Sequence, residues 1–471
     1  MKKIICLATI IVGIIFSTQL FAQGQKENDK NVTIRVLSNV TGGKDSEENK
    51  LFTQALEQAT GLNIDFEKVP ANYDQVLMQK LGAGEKYDLI YLNQSQMYSL
   101  ASQNAIMDIT SMIDNSEDYS KYVDNAELQK IAFNGKYYAG FNKLEINPLP
   151  NVNKAITDKI GINLEELTSL ADYKNMLVQV KNYKEKTENI KPYYPMFIYM
   201  NNIWDLQPWF SSVGARRGVT FDENGKKYSP YLEDSSRKVW MWLKDLYQEG
   251  LIDPASFTGK TSDMRNKMWQ SQDIVLDSDW LAWTGLYNNN AKQAGTYPTK
   301  VNVVALPGTV GPDGMYLLEQ GNASLWSIPA NAEHPDEAFK LIEYFATPEG
   351  GLLLSAGIKG YDYNVENGNI VYTDIGTSHA KDHGAPFPIC KSFDFSQFGE
   401  MNPGVEDALA IIARDDVKVA PMLNANGTLD ANTYYKIISK WMSDYMLGKT
   451  NLDTAINGAK KELMNNGIID Y

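Results

Sequence analysis

Residues 273–285 read "DIVLDSDWLAWTG", with Asp277 and Asp279 two apart and Trp280 and Trp283 three apart. Two carboxylates on one face of a strand could serve a glycoside hydrolase as acid and nucleophile. They could instead accept hydrogen bonds from a ligand's hydroxyls, or Ser278 or Asp279 could cap a following helix. Indoles at helical spacing are surface neighbours. An indole packs against the apolar face of a sugar ring while Asp, Asn or Gln takes its hydroxyl rim. The alternative for each ring is the core.

Other motifs exclude more than they offer. "MLGKT" has Gly448-Lys449-Thr450, but Ser443 stands where a phosphate-binding loop needs glycine. "LLLSAG" lacks the first glycine of a nucleophile elbow, and there is no H-E-x-x-H. His379 and His383 are four apart, a metal spacing on a helix. Gly376, Gly384 and Pro386 surround them, so a solvated loop is expected there. "DENG" (222–225) lacks the alternating oxygens of a calcium loop and reads as a hairpin turn. Arg216-Arg217 could anchor a peptide terminus, although a solvated loop suits the pair better. No catalytic residue, metal or cofactor is expected.

The elements that position "DSDWLAW" alternate. "NVTIRVLSN" reads as a strand, "EENKLFTQALEQATG" as a helix stopped by Gly61, "LNIDFEKV" as a strand, "YDQVLMQKL" as a helix and "YDLIYLN" as a strand. Strand–helix alternation implies βαβ units and a parallel sheet covered on both faces. Ligands of such sheets bind beyond the carboxyl ends of the strands. Pro148 and Pro150 mark a crossing into a second domain. Residues 160–290 read as mostly helical, with Val239, Trp240, Leu243, Leu246 and Tyr247 on one face and Gly250 as a C-cap. "HPDEAFKLIEYF" is a helix with Pro335 in its first turn, and Leu447-Gly448 splits the C-terminal helices. Without repeats or low-complexity linkers, the domains are expected to interleave.

The chain opens with two lysines, an apolar run from Ile4 to Phe16 and a small residue at Ala22. That is the pattern of a secretory signal peptide spanning 1–22. Cys6 precedes most of the apolar run, so no lipid anchor is expected, and Cys390 then has no disulfide partner. A formal charge of −14 argues against nucleic acid.

The order of "YDLIYLNQSQMYSLASQNAIMDIT", "DLQPWFSSVGARRGVTFDENGKKY", "DSDWLAW" with "VNVVALPG", and "HPDEAFKLIEYFATPEGGLLLSAG" resembles the family 1 extracellular solute-binding proteins of ABC transporters. The resemblance covers nearly the whole mature chain, and "GIKGYDYNVENGNIVY" is similar to the family's larger lipoprotein-type branch. It implies an α/β, two-lobed periplasmic-binding-protein-like II fold with interleaved lobes, a hinge and a central ligand cleft. The lobes would be 31–145 plus 319–365 and 146–318 plus 366–471. The implied function is capture of a carbohydrate, an oligosaccharide by preference, and delivery to the permease, without catalysis. A periplasmic or extracellular monomer is expected. A secreted glycoside hydrolase, or a binder of peptides or other solutes on the same fold, is the alternative. The implied contacts are Asn39, Thr41, Asn93, Gln96, Glu145, Gln207, Trp209, Asp279, Trp280, Trp283 and Trp326, with Trp209 and Trp280 foremost.

Overall fold

A computed structural model describes residues 32–39, 45–143, 148–201, 203–321, 323–379, 388–425 and 429–471. Segment 1–22, Thr41, Glu145 and His383 lie outside the described residues.

Ten strands matter for the site. They are β1 (Thr33–Ser38), β2 (Asn63–Lys68), β3 (Leu89–Asn93), β4 (Gly140–Lys143), β5 (Pro148–Asn153), β6 (Leu276–Trp280), β7 (Val303–Ala305), β8 (Tyr316–Gln320), β9 (Ser324–Ser327) and β10 (Val417–Pro421). The helices used below are α1 (Ser46–Thr60), α2 (Gln94–Ser102), α3 (Thr261–Trp269), α4 (Leu281–Gln293) and α5 (Asp374–His379).

α1 begins where the Asp45 side chain accepts the Glu48 N–H at 2.8 Å, and it ends at Gly61, whose φ of 72° is the left-handed cap. Its inner face carries Phe52 and Leu56, both fully buried, which contribute about 1.5–3 kcal/mol apiece.

The first sheet runs β2-β1-β3-β9-β4. β1 is parallel to β2 and β3, as the alternation implies. β9 lies antiparallel between β3 and β4, with Ser324 opposite Asn93. The sheet is therefore mixed rather than parallel. β9 arrives from a distant part of the chain, and its orientation was not constrained by any local crossover. Leu89, Ile90 and Leu92 are buried, as a strand covered on both faces requires.

The second sheet is β6-β5-β7, with β5 antiparallel to both neighbours and Pro148 opposite Trp280. β8 and β10 form a parallel pair, Tyr316 opposite Val417. The chain passes from the first sheet to the second between Lys143 and Pro148, and from β8 back to the first between Gln320 and Ser324. Residues beyond 366 stay with the first sheet's helices longer than expected. The Lys391 N–H donates to the Tyr122 carbonyl at 2.8 Å, and Phe393 is buried. By Val405 the chain packs with Leu149, Leu281 and Ala305 of the second sheet's cluster.

Helical periodicity holds in the middle region. Val239, Trp240, Trp242, Leu243 and Leu246 form the buried face of helix Arg237–Gln248, which Gly250 terminates at φ 64°. Helix Pro335–Ala346 starts at its proline, and Gly448 separates helices Ala431–Met446 and Leu452–Asn465. The turn at 222–225 is a hairpin, pairing Phe221 with Lys227. Among the described residues, no helix is long and apolar enough to cross a membrane.

Candidate functional site

β1 and β3 are parallel neighbours, so their carboxyl ends lie side by side. The Tyr73 hydroxyl ties these ends together, 3.2 Å from the Leu37 carbonyl and 2.7 Å from that of Tyr91. Asn39 follows β1 and is half-buried. Asn93 ends β3 and caps α2: its Oδ1 accepts the Gln96 N–H and Gln96 Oε1 accepts the Asn93 N–H, both at 2.9 Å. Gln96 Nε2 donates to Asp74 at 2.9 Å. Both residues stand at the strand end, but the capping box occupies their carbonyl oxygens.

Across from this, β6 carries "LDSDW". Asp277 and Asp279 alternate onto one face, and both are fully buried. The Tyr287 hydroxyl on α4 lies 2.8 Å from Asp277 and 3.2 Å from Asp279. Arg265 on α3 meets Asp279 with two hydrogen bonds, at 2.7 and 3.0 Å. Burial pushes the Asp279 carboxyl up against the opposing pull of Arg265. Burial and then the Asp279 charge push Asp277 far above the usual carboxylate range. Neither acid caps α4: its N-cap is Trp280, with no side-chain cap bond. Asp279 was expected as a ligand contact; the structure instead buries it fully and pairs it with Arg265.

The two indoles follow Asp279 in the chain. Trp280 is 42 % exposed, unusual for a large ring at a strand end. The Arg265 guanidinium sits 3.8 Å from the Trp283 ring centroid and 6.0 Å from that of Trp280. Trp283 is half-buried and leans on Tyr287 at 5.6 Å. One arginine therefore pairs with Asp279 and reaches two tryptophans.

A second aromatic pair leaves the sheet at the same end. Met196 bridges Leu276 in parallel register, so the chain after Met196 runs beside β6 towards Trp280. There Tyr199 and Trp204 are half-buried with ring centroids 6.4 Å apart. Buried Asp205 closes the turn by accepting the Tyr199 N–H at 2.7 Å. Burial pushes Asp205 up to about 7. Ile203 has φ 51°, a left-handed conformation that a β-branched residue adopts only under constraint. Sequence reasoning missed Tyr199, Trp204 and Arg265. The Asn-Asn-Ile-Trp-Asp turn was the available signal for the first two, whereas Arg265 had no local one.

Three other expected contacts lie in cores. Trp209 is fully buried, edge-on to Tyr173 at 4.8 Å and against Trp242 at 5.4 Å. A ring with no exposed surface presents no face to a sugar. Gln207 is buried, donating to the Ala215 carbonyl at 2.9 Å and accepting the Arg217 N–H at 3.0 Å. Trp326 is buried in β9, stacked on Phe345 at 5.2 Å and donating to Asn142 Oδ1 at 3.2 Å. Arg217 is also buried, paired with Glu319 through a 2.9 Å Nε bond and a second contact, while Arg216 donates to the Pro421 carbonyl. The pair is structural, neither a solvated loop nor a free anchor for a peptide terminus.

The first sheet's α2 faces the segment after β10 across a narrow space. Gln94, Ser95 and Tyr98 line one side and Met422, Asn424 and Leu429 the other, enclosing about 10 Å³, room for roughly one water. The start of α2 and the segment after β10 thus approach each other closely at this point.

Residues 52–361 match the family model for bacterial extracellular solute-binding proteins. No curated protein sequence matches the chain. In fold, the chain is similar to the ABC substrate-binding protein Lmo0181 from Listeria monocytogenes in complex with cycloalternan: 12 % identity, TM-score 0.64, covering 93 % of this chain and 99 % of that one. It is also similar to the sugar-binding protein MalE from Xanthomonas citri, at 15 % identity and TM-score 0.65 over 91 % and 96 % of the two chains. Maltose-bound T. maritima MalE3 gives 16 % identity and TM-score 0.65 over 92 % and 99 %. These likenesses establish the two-lobed periplasmic-binding-protein architecture. A family match over more than half of the sequence, on that architecture, establishes that the chain belongs to the bacterial extracellular solute-binding proteins, a class that captures small solutes outside the cytoplasm for ABC permeases.

Proposed function

We propose that this protein is a carbohydrate receptor, an oligosaccharide binder by preference, that hands its cargo intact to an ABC permease. The observation that carries the reading is the Trp280 ring, 42 % exposed at the carboxyl end of β6, with the Arg265 guanidinium 6.0 Å from its centroid. An exposed indole suits a pyranose, and it loses little entropy on binding. Tyr199 and Trp204 would extend the wall, while Asn39, Asn93 and Gln96 stand at the opposite strand ends. Thr41 and Glu145 remain candidates from the family pattern. Proteins of this fold bound to cycloalternan, maltose and β-1,6-galactobiose support the ligand class.

The first lobe takes residues 33–143 and 324 to about 399, and the second takes 148–320 and about 400–471. We place the carboxyl-proximal boundary near 399, where sequence reading put it at 365/366, because Lys391 bonds to the Tyr122 carbonyl and Pro388 and Phe393 lie against Gly351. The lobes close on the ligand by hinge motion, and closure is favoured only by contacts that span both lobes. Asp277 and Asp279 are inaccessible, which argues against a hydrolytic pair. The protein acts as a monomer outside the cytoplasm.

A thermal-shift screen of residues 23–471 against mono- and oligosaccharides, with peptides and polyamines as controls, tests this. A ligand that binds only the folded state raises Tm. A shift with one saccharide class, the sugar recovered unhydrolysed, supports the reading. Shifts with peptides alone, or cleavage of the sugar, overturn it.

A further inference from the structure

We propose that Glu48, Asp362 and His379 form a binding site for one divalent transition-metal ion, with zinc the best match. The site lies at the start of α1 in the first lobe, uses none of the aromatic residues named above, and does not rest on the carbohydrate reading.

From sequence the candidate metal partner of His379 was His383, and the glycines around 376–384 favoured a solvated loop over any metal site. Instead His379 ends α5, and its ring points at the start of α1. Nδ1 lies 2.8 Å from Asp362 Oδ1 and 3.2 Å from Glu48 Oε2. The three donor atoms fall within 4.8 Å of one another. Metal–ligand bonds near 2.0–2.2 Å in a tetrahedron place donors about 3.4 Å apart. The Nδ1–Glu48 separation lies about 0.2 Å from that value, and the Nδ1–Asp362 separation would open by about 0.6 Å to reach it. One imidazole and two carboxylates suit zinc or its neighbours better than calcium or magnesium, which prefer all-oxygen shells.

The surroundings are built for a ligand histidine. On the ring's far side Nε2 lies 3.2 Å from Asp45 Oδ2, and the Tyr361 hydroxyl donates to the same carboxylate at 3.1 Å. An Nε2–H bonded to Asp45 leaves the Nδ1 lone pair facing Glu48 and Asp362. A carboxylate behind the imidazole is the usual way a metal-binding histidine is oriented. Asp362 is fixed as well: its Oδ2 accepts the Ile358 N–H at 2.7 Å, and its Oδ1 is the atom that faces His379 Nδ1. Two glycines make room for it. A Cβ at Gly357, where φ is 87°, would meet Asp362 Oδ2 at 2.2 Å, and one at Gly376 would meet the Asp362 carbonyl oxygen at 1.9 Å. Glu48 and Asp362 are fully buried. As imidazolium, His379 would bring one positive charge to three carboxylates, whereas a dication with neutral histidine balances Glu48 and Asp362.

The test uses untagged mature protein, stripped with a chelator and desalted. Co2+ is titrated into wild type and His379→Ala and followed by visible absorption. Zn2+ is then added, and Tm is measured for both proteins with and without it. The proposal expects one equivalent of Co2+ with a visible d–d band, displaced by Zn2+. It also expects a Tm rise of roughly 2–4 °C at saturating Zn2+. His379→Ala should lose both. If that variant does not fold, Glu48→Gln replaces it, since the amide keeps the shape but loses the charge. Absence of the band and of any Tm shift in wild type overturns the site. Equal binding by wild type and variant overturns it too, by placing the metal elsewhere.

Discussion

Arg265→Ala should expose the cost of burying Asp279 without its partner. Asp279 is fully buried and meets Arg265 at 2.7 and 3.0 Å. Removing one partner of a buried pair costs about 3–5 kcal/mol. The Arg265 side chain is 18 % exposed, so its own desolvation is incomplete and the expected loss falls to about 2–4 kcal/mol at pH 8. The loss should depend on pH. Burial already raises Asp279, and Arg265 is the main force opposing it. Without the arginine the carboxyl rises further. A carboxyl raised in the folded state keeps a proton that the unfolded chain releases near pH 4. Its contribution is therefore complete below that pH and is lost as pH rises through the folded value. Urea denaturation followed by circular dichroism should show a smaller loss at pH 5 than at pH 8. Adding Asp279→Asn should recover part of the stability and flatten the difference. A loss below about 0.5 kcal/mol at pH 8 would refute the reasoning. So would equal losses at both pH values with no recovery in the double variant.

Further expectations use the same measurements. Trp209→Ala empties a fully buried site between Tyr173 and Trp242 and should cost about 3–5 kcal/mol in urea melts; a change below about 1 kcal/mol would contradict its placement. Tyr287→Phe removes the hydroxyl shared by Asp277 and Asp279 and should cost about 1–3 kcal/mol by the same assay. Asp205, pushed up to about 7 by burial, should make stability fall as pH rises from about 4 to about 7, at up to about 1.4 kcal/mol per pH unit. Asp205→Asn should remove that slope; identical pH profiles for the two proteins would count against it.

Much of the frame could be read from residue spacing. Phe52 and Leu56 faced inward as their periodicity required, Gly61, Gly250 and Gly448 ended helices, and the unbroken apolar run at 89–92 became a covered strand. The sugar-wall reading of "DSDWLAW" found the exposed indole, but it gave Asp279 the wrong task. Whether a carboxylate faces ligand or core depends on its partner, and Arg265 comes from another helix. Trp209, Trp204 and Trp326 show the same limit. An indole serves a core or a surface equally well, and only the packing of Tyr173 and Phe345 on two of these rings decides between them. His379 was hidden differently, because its partners Glu48 and Asp362 come together only in three dimensions.

The central claim is that Trp280 is a ligand platform rather than part of the core. Once the screen names a saccharide, calorimetric titration of wild type and Trp280→Ala tests the claim directly. Base–aromatic stacking on nucleic acids, a comparable ring-on-ring contact, is worth about 1–3 kcal/mol. The account predicts Kd weakened roughly 5- to 150-fold at that scale, with Tm almost unchanged because the ring is already 42 % exposed. Unaltered affinity in a folded Trp280→Ala protein would contradict it.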